Sequence, residues 1–139
     1  MLRKLNSKRQ GGFTLVEIMI VVAIIALLAS IAVPNFLRSR KRSQATQVLE
    51  DLRQIDSAID QYAIERNKKS GDGVDWTAIR DYLKKGTRLE TSNGTDILGG
   101  SFTGFAIDPA SGPQVKPATT TYNKLTDVAP SDFWSPFNP

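Results

Sequence analysis

The chain contains neither cysteine nor histidine. Without cysteine there is no disulfide framework and no thiolate metal site. Without histidine, Ser-His and Cys-His pairs and imidazole metal ligation fall away too. No glycine-rich phosphate loop is present. The acidic residues are scattered, and no pair of them sits in an apolar setting that would split it into acid and base. Catalysis is therefore not expected, and no cofactor is called for.

An excess of one charge sign is also missing once its distribution is read. The formal charge is +4, which raises nucleic acid or a membrane surface as partners. The whole excess is Arg3, Lys4, Lys8 and Arg9, all ahead of Gly12. Beyond Arg42 the 13 acidic residues outnumber the 10 basic ones. A nucleic-acid interface needs a basic face, and none is expected here. The cluster Arg38, Arg40, Lys41 and Arg42 reads as charges beside membrane headgroups.

What the chain does have is one long apolar run. Ile18 to Ala29 is unbroken, and only Ser30 interrupts it before Pro34. A single carboxylate, Glu17, stands at its start. A charge at full membrane depth costs about 2.5–3.5 kcal/mol on insertion scales, and less near the interface. An acid kept there needs a partner. Cleavage after Gly12 would create one, because the new α-amino group of Phe13 lies four residues from Glu17.

Gly12, then Phe13-Thr14-Leu15-Val16-Glu17, then the apolar run, resembles the class III signal of type IV pilins and type II secretion pseudopilins. The basic leader and Pro34 fit the same pattern. The resemblance covers about the first 37 residues closely and the rest in outline. It implies cleavage between Gly12 and Phe13 by a prepilin peptidase, N-methylation of Phe13, and filament assembly through Glu17 and Phe13. The partners it implies are that peptidase/methyltransferase, other pilin or pseudopilin subunits, and an inner-membrane assembly platform. It implies an inner-membrane protein with its C-terminal domain on the far side, then a filament. A different reading stays open: residues 1–32 as an ordinary signal peptide cut after Ser30-Ile31-Ala32, or a plain anchor, on a secreted or membrane-anchored binding protein. The mature N-terminus separates the two, methyl-Phe13 against Val33.

The expected organisation is a leader over 1–12, a membrane and assembly segment over 13–37, and a soluble domain over 38–139. Past Pro34, Ala45, Val48, Leu49, Leu52, Ile55, Ile59 and Tyr62 recur at helix spacing, with polar residues opposite. One helix from Phe13 to about Arg66 follows, extending about 80 Å, far more than a bilayer needs. Pro34 should kink it. The stretch Asn67–Gly73 stops it, its glycines permitting a left-handed turn. Asp75 then caps a short helix carrying Trp76, Ile79, Tyr82 and Leu83 on one side, with Val74 and Ile79 spaced as a hydrophobic staple and Gly86 as the stop.

Strand chemistry follows. A hairpin is expected around Gly99-Gly100, a strand over Phe102–Ile107, and a third over Thr119–Leu125. The aromatic, proline-rich tail is read as irregular, capping the core. The class is α+β, a pilin-like long helix packed on a small domain with a short helix and antiparallel strands. Only 73 residues follow Arg66, so the amphipathic stripe must supply one wall of their core. Asp96 to Phe102 is also loosely similar to the Asp-x-x-Gly-x-x-aromatic segment of major pseudopilins, whose C-terminal loops hold calcium. That likeness makes Asp96, Asp108, Asp127 and Asp132 candidate calcium ligands, although the family's proline and tryptophan around the glycine are absent.

Overall fold

The structure, a computed structural model, describes residues 11–110 and 112–138. It divides into two compact units, Met1–Leu37 and Arg38–Pro139. Both share helix α1, Leu15–Arg66, which runs for 52 residues with Pro34 inside it. Pro34 takes one N–H out of the backbone ladder, and the helix continues through it.

In the first unit every large apolar side chain from Phe13 to Leu37 is exposed, from 50% at Ile18 to 86% at Phe13. Mean hydropathy reaches 2.9 over an 18-residue window, so the segment is long and apolar enough to cross a membrane.

From Arg38 onward α1 becomes one-sided. Val48, Leu52, Ile55 and Ile59 are fully buried, and Glu50, Arg53, Gln54 and Ser57 face water. Tyr62 is half-buried and meets Tyr82 edge-on, with ring centroids 5.9 Å apart. The helix ends as a Schellman motif: Lys68 N–H donates to Ala63 C=O at 3.0 Å and Asn67 N–H to Ile64 C=O at 3.4 Å. The left-handed residue is Asn67 (φ 47°), not one of the glycines.

Helix α2, Trp76–Ile79, starts at Asp75, whose carboxylate makes no capping bond, and runs into a 3-10 turn over Arg80–Tyr82. Val74 and Ile79 are both buried. Helix α3, Arg88–Thr91, was not expected. It starts at Thr87, whose hydroxyl accepts from Glu90 N–H at 3.4 Å, the Thr-x-x-Glu start signal of a capping box.

The antiparallel strands are not formed among the described residues. Pairing is confined to three antiparallel bridges, Gly73 with Ala106, Thr95 with Ser101, and Thr103 with Lys116. Around Gly99-Gly100 the chain does turn back, with Asp96 N–H donating to Gly100 C=O at 2.7 Å and Gly99 N–H to Asp96 C=O at 3.1 Å. Gly104, at φ +78°, breaks the extension of Phe102–Ile107. The third expected strand is a helix, α4, Thr119–Leu125. Its three threonines favour a strand, but Thr121 and Leu125, four apart, are both buried, and that burial decides for the helix. The tail is also more regular than expected, with a 3-10 turn over Ser131–Trp134. Its aromatics do enter the core. Trp134 is fully buried, its Nε1–H donates to Ala129 C=O at 3.1 Å, and Phe137 is buried beside it in sequence.

Candidate assembly site at the head of the helix

The residues that begin α1 satisfy one another. The backbone N–H of Thr14 donates to the Glu17 carboxylate at 2.8 Å, and its hydroxyl donates to the same oxygen at 2.9 Å. Glu17 N–H in turn points at Thr14 Oγ1 at 3.2 Å. This is a reciprocal capping box: the N-cap threonine and the third helical residue each satisfy a donor that the first turn leaves orphaned. A carboxylate in the first turn also suits the positive end of the helix dipole. Glu17 thus has a local task that its expected role in assembly does not mention. Thr14 is the residue that the reading of the sequence missed, although Thr14-Leu15-Val16-Glu17 spells the signal out.

Ahead of the cap the backbone is open. Gly11, Gly12 and Phe13 are all exposed, and a Cβ on Gly12 would touch nothing within 4 Å. The Gly12–Phe13 bond therefore lies in an exposed stretch of backbone. Phe13, Glu17, Ile18, Ile20 and Val21 line an open, mainly apolar groove of about 540 Å³. A carboxylate at the rim of an apolar groove can receive a cation that arrives with an apolar helix.

The four candidate calcium ligands are not brought together. Asp96 is buried, and one of its oxygens accepts from Leu98 N–H at 2.7 Å and Gly100 N–H at 2.9 Å. The other accepts from the hydroxyl of Thr121 on α4. Its lone pairs are spent on the chain itself. Asp108 (φ 38°) is exposed, and its N–H donates to Gln114 Oε1 at 3.2 Å. Asp127 pairs with Lys41 at 2.8 Å, and that hydrogen bond holds its carboxyl below the usual aspartate value. Asp132 lies exposed in the 3-10 turn. Among the described residues no three acids stand close enough to hold a metal.

A second buried carboxylate, Asp51 on α1, pairs with Arg88 of α3. Arg88 also donates to Thr95 C=O at 3.1 Å. Asp51 and Asp96 therefore fasten α1, α3, the glycine turn and α4 to one another through polar contacts, in a unit that has no disulfide.

Comparison with known proteins places the head of the chain. The prokaryotic N-terminal methylation motif matches residues 7–33. The type II secretion system core protein G of Aeromonas hydrophila is 33% identical over 64 residues, which is 46% of this chain and 45% of that protein. The type IV major fimbrial protein FimA of Dichelobacter nodosus is 41% identical over 68 residues, 49% of this chain and 42% of its own length. The type IV major pilin protein PilA of Myxococcus xanthus is 42% identical over 62 residues, 45% and 28% of the two chains. The chain thus spans less than half the length of each of these relatives. No solved structure matches. Residues 7–33 thus match the prokaryotic N-terminal methylation motif, and over about half its length the chain is similar to type II secretion core protein G and to type IV pilins.

Proposed function

We propose that the chain is the precursor of a filament subunit. It is cleaved between Gly12 and Phe13, N-methylated on Phe13, and polymerised into a type IV pilus or a type II secretion pseudopilus. The observation that carries this reading is the exposed apolar half of α1, headed by an accessible Gly12–Phe13 bond and by Glu17, its one carboxylate. The task is structural rather than catalytic.

The physical sequence is simple. The precursor waits in the inner membrane with the unit from Arg38 onward on the far side. A prepilin peptidase removes the leader, the same or a partner enzyme methylates the new amine, and an inner-membrane platform receives the product. An incoming subunit brings Glu17, and a neighbour already in the filament presents the Phe13 ammonium. Pairing them removes two charges from an apolar setting, which are costly to leave single and register-specific to satisfy. Head-to-tail contacts between apolar half-helices need not close, so they propagate.

Two measurements test this. Intact mass of the membrane-bound protein should show loss of the leader through Gly12 and gain of one methyl group. A mature chain beginning at Val33 would overturn the reading. Glu17→Ala should leave cleavage and the soluble unit intact, while processed protein accumulates in the membrane with few or no filaments. Glu17→Gln keeps the volume but cannot neutralise an ammonium. Assembly of the Gln variant at parental level would remove charge neutralisation as the reason for this carboxylate.

A further inference from the structure

The start of the second unit holds a concave site apart from the Glu17 and Phe13 pairing proposed above. Arg38, Ser39, Arg42, Asp127 and Val128 line a cavity of about 370 Å³. Arg38 and Arg42 are exposed and stand one helical turn apart on one face of α1. Like charges at that spacing repel, and among the described residues neither takes part in an ion pair. The one acid in the cavity, Asp127, pairs with Lys41 at 2.8 Å, and Arg38 acts on it through space without an ion-pair contact. Two guanidinium groups without an ion-pair contact among the described residues, a hydroxyl and an apolar wall remain. That is the donor set for a tetrahedral anion carried on an apolar body, since arginine presents a planar fork that matches phosphate oxygens.

Helix geometry says which phosphate is within reach. A hydrocarbon core of about 30 Å takes roughly 20 helical residues. Counted from Glu17, the first charged side chain of the run, that length ends at Leu37. The headgroup layer adds about 5–7 Å on each side, or four to five more residues. Those are Arg38 to Arg42. Both arginines therefore fall in the layer where lipid phosphates are concentrated.

We propose that Arg38, Arg42 and Ser39 form a binding site for the phosphate of an anionic phospholipid headgroup, with Val128 against its glycerol backbone. The site rests on the membrane-inserted subunit described above and adds to it a specific lipid contact made before assembly. Arg40 takes no part. At 100° per residue it lies about 160–200° around the helix from the other two.

The full chain, reconstituted in nanodiscs of mixed phosphatidylglycerol and phosphatidylcholine, tests the site by native mass spectrometry of the ejected protein. The parent should retain phosphatidylglycerol in preference to phosphatidylcholine. The double variant Arg38→Gln/Arg42→Gln should lose that preference by about thirty-fold, as two surface charges imply. Arg40→Gln should keep it. Equal retention of both lipids by the parent, or the same loss in Arg40→Gln as in the double variant, would overturn the proposal while leaving membrane insertion standing. Displacement of the lipid by millimolar inorganic phosphate would overturn the lipid as occupant and leave a generic phosphate site. A chain that fails to enter the nanodisc at all would overturn both the site and the membrane reading beneath it.

Discussion

The two halves of α1 have the same backbone and opposite fates. Up to Leu37 its large apolar side chains are all at least 50% exposed, whereas Val48, Leu52, Ile55 and Ile59 are at 0%. Burying a side chain of that size is worth about 1.5–3 kcal/mol. The second half collects this within its own chain. The first half does not, and an exposed apolar surface of that extent marks a lipid or protein contact outside the chain. The comparison separates two tasks along a single helix: residues after Arg38 bury apolar surface within the chain, and residues before it leave theirs for a lipid or protein contact.

The sharpest way to break this division is to charge the buried half. Ile59→Asp would place an unpaired carboxylate in a core that no disulfide holds, at a cost of several kcal/mol. The unit from Arg38 onward should unfold or be degraded. A thermal melt matching the parent would mean that the stripe is not the core wall, and the contrast between the halves would fail.

A second, smaller effect is expected at Gly100. A Cβ there would overlap Thr121 Oγ1, Ala118 Cβ and the Asp96 carboxylate. Gly100→Ala should therefore cost about 1–3 kcal/mol, the usual range for overpacking a tight site. Denaturant melts of the full chain in detergent would show the loss, and an unchanged midpoint would mean that α4 and the glycine turn are not pressed together.

That contact also shows where the sequence stops being readable. The long helix was legible because its evidence is local and repeated, a residue every three or four positions. The methylation motif at the head of the chain is local as well, with Gly12, Phe13 and Glu17 within six positions of one another. Thr14 is just as local, three positions before Glu17, but its hydroxyl is neutral and carries none of the charge that singles out Glu17 and a cleaved Phe13 amine. The strand assignments failed for a different reason. Thr119–Leu125 has strand chemistry, and what makes it α4 is burial of Thr121 against Asp96, 25 residues away. Asp96 reads locally as a free acid in a glycine turn, because neither its buried state nor Thr121 can be seen from its neighbours. Contacts across such distances leave no period in a sequence.

On the assembly side, Thr14→Val keeps the shape of the side chain and removes its hydroxyl. Loss of a cap costs about 1 kcal/mol, which here loosens the first turn of α1 and frees Glu17 to other rotamers. Subunit stability should not move, since the change lies outside the unit from Arg38 onward. Filament yield should fall, though less than in Glu17→Ala. A melt lowered as far as that of Gly100→Ala would mean that the two halves are coupled after all.

The smallest effect is the response of the second half to pH. Asp51 and Asp56 both titrate above the ordinary aspartate value. Burial is the larger cause in each, opposed at Asp51 by Arg88 and reinforced at Asp56 by Asp60. A raised carboxyl binds its proton more readily folded than unfolded. These two therefore lend stability as pH falls from neutral toward about 4, the unfolded value. Asp127 works the other way. Lys41 lowers its pKa, so its contribution is present above about 4 and is lost as pH falls through the lowered value. Melting temperature should rise gently on mild acidification and drop below it. Asp56→Asn should flatten the rise, and an unaltered profile would show that burial of Asp56 does not matter.

The capping box has one more consequence. Thr14 gives the Glu17 carboxylate two donors at 2.8 and 2.9 Å, both on one oxygen, and a carboxylate has room for about four. In the assembly proposed above, a neighbour's ammonium would join a carboxylate that its own cap already holds in place. That pairing would release less free energy than the capture of a bare ion, because part of the carboxylate's charge is already met by Thr14.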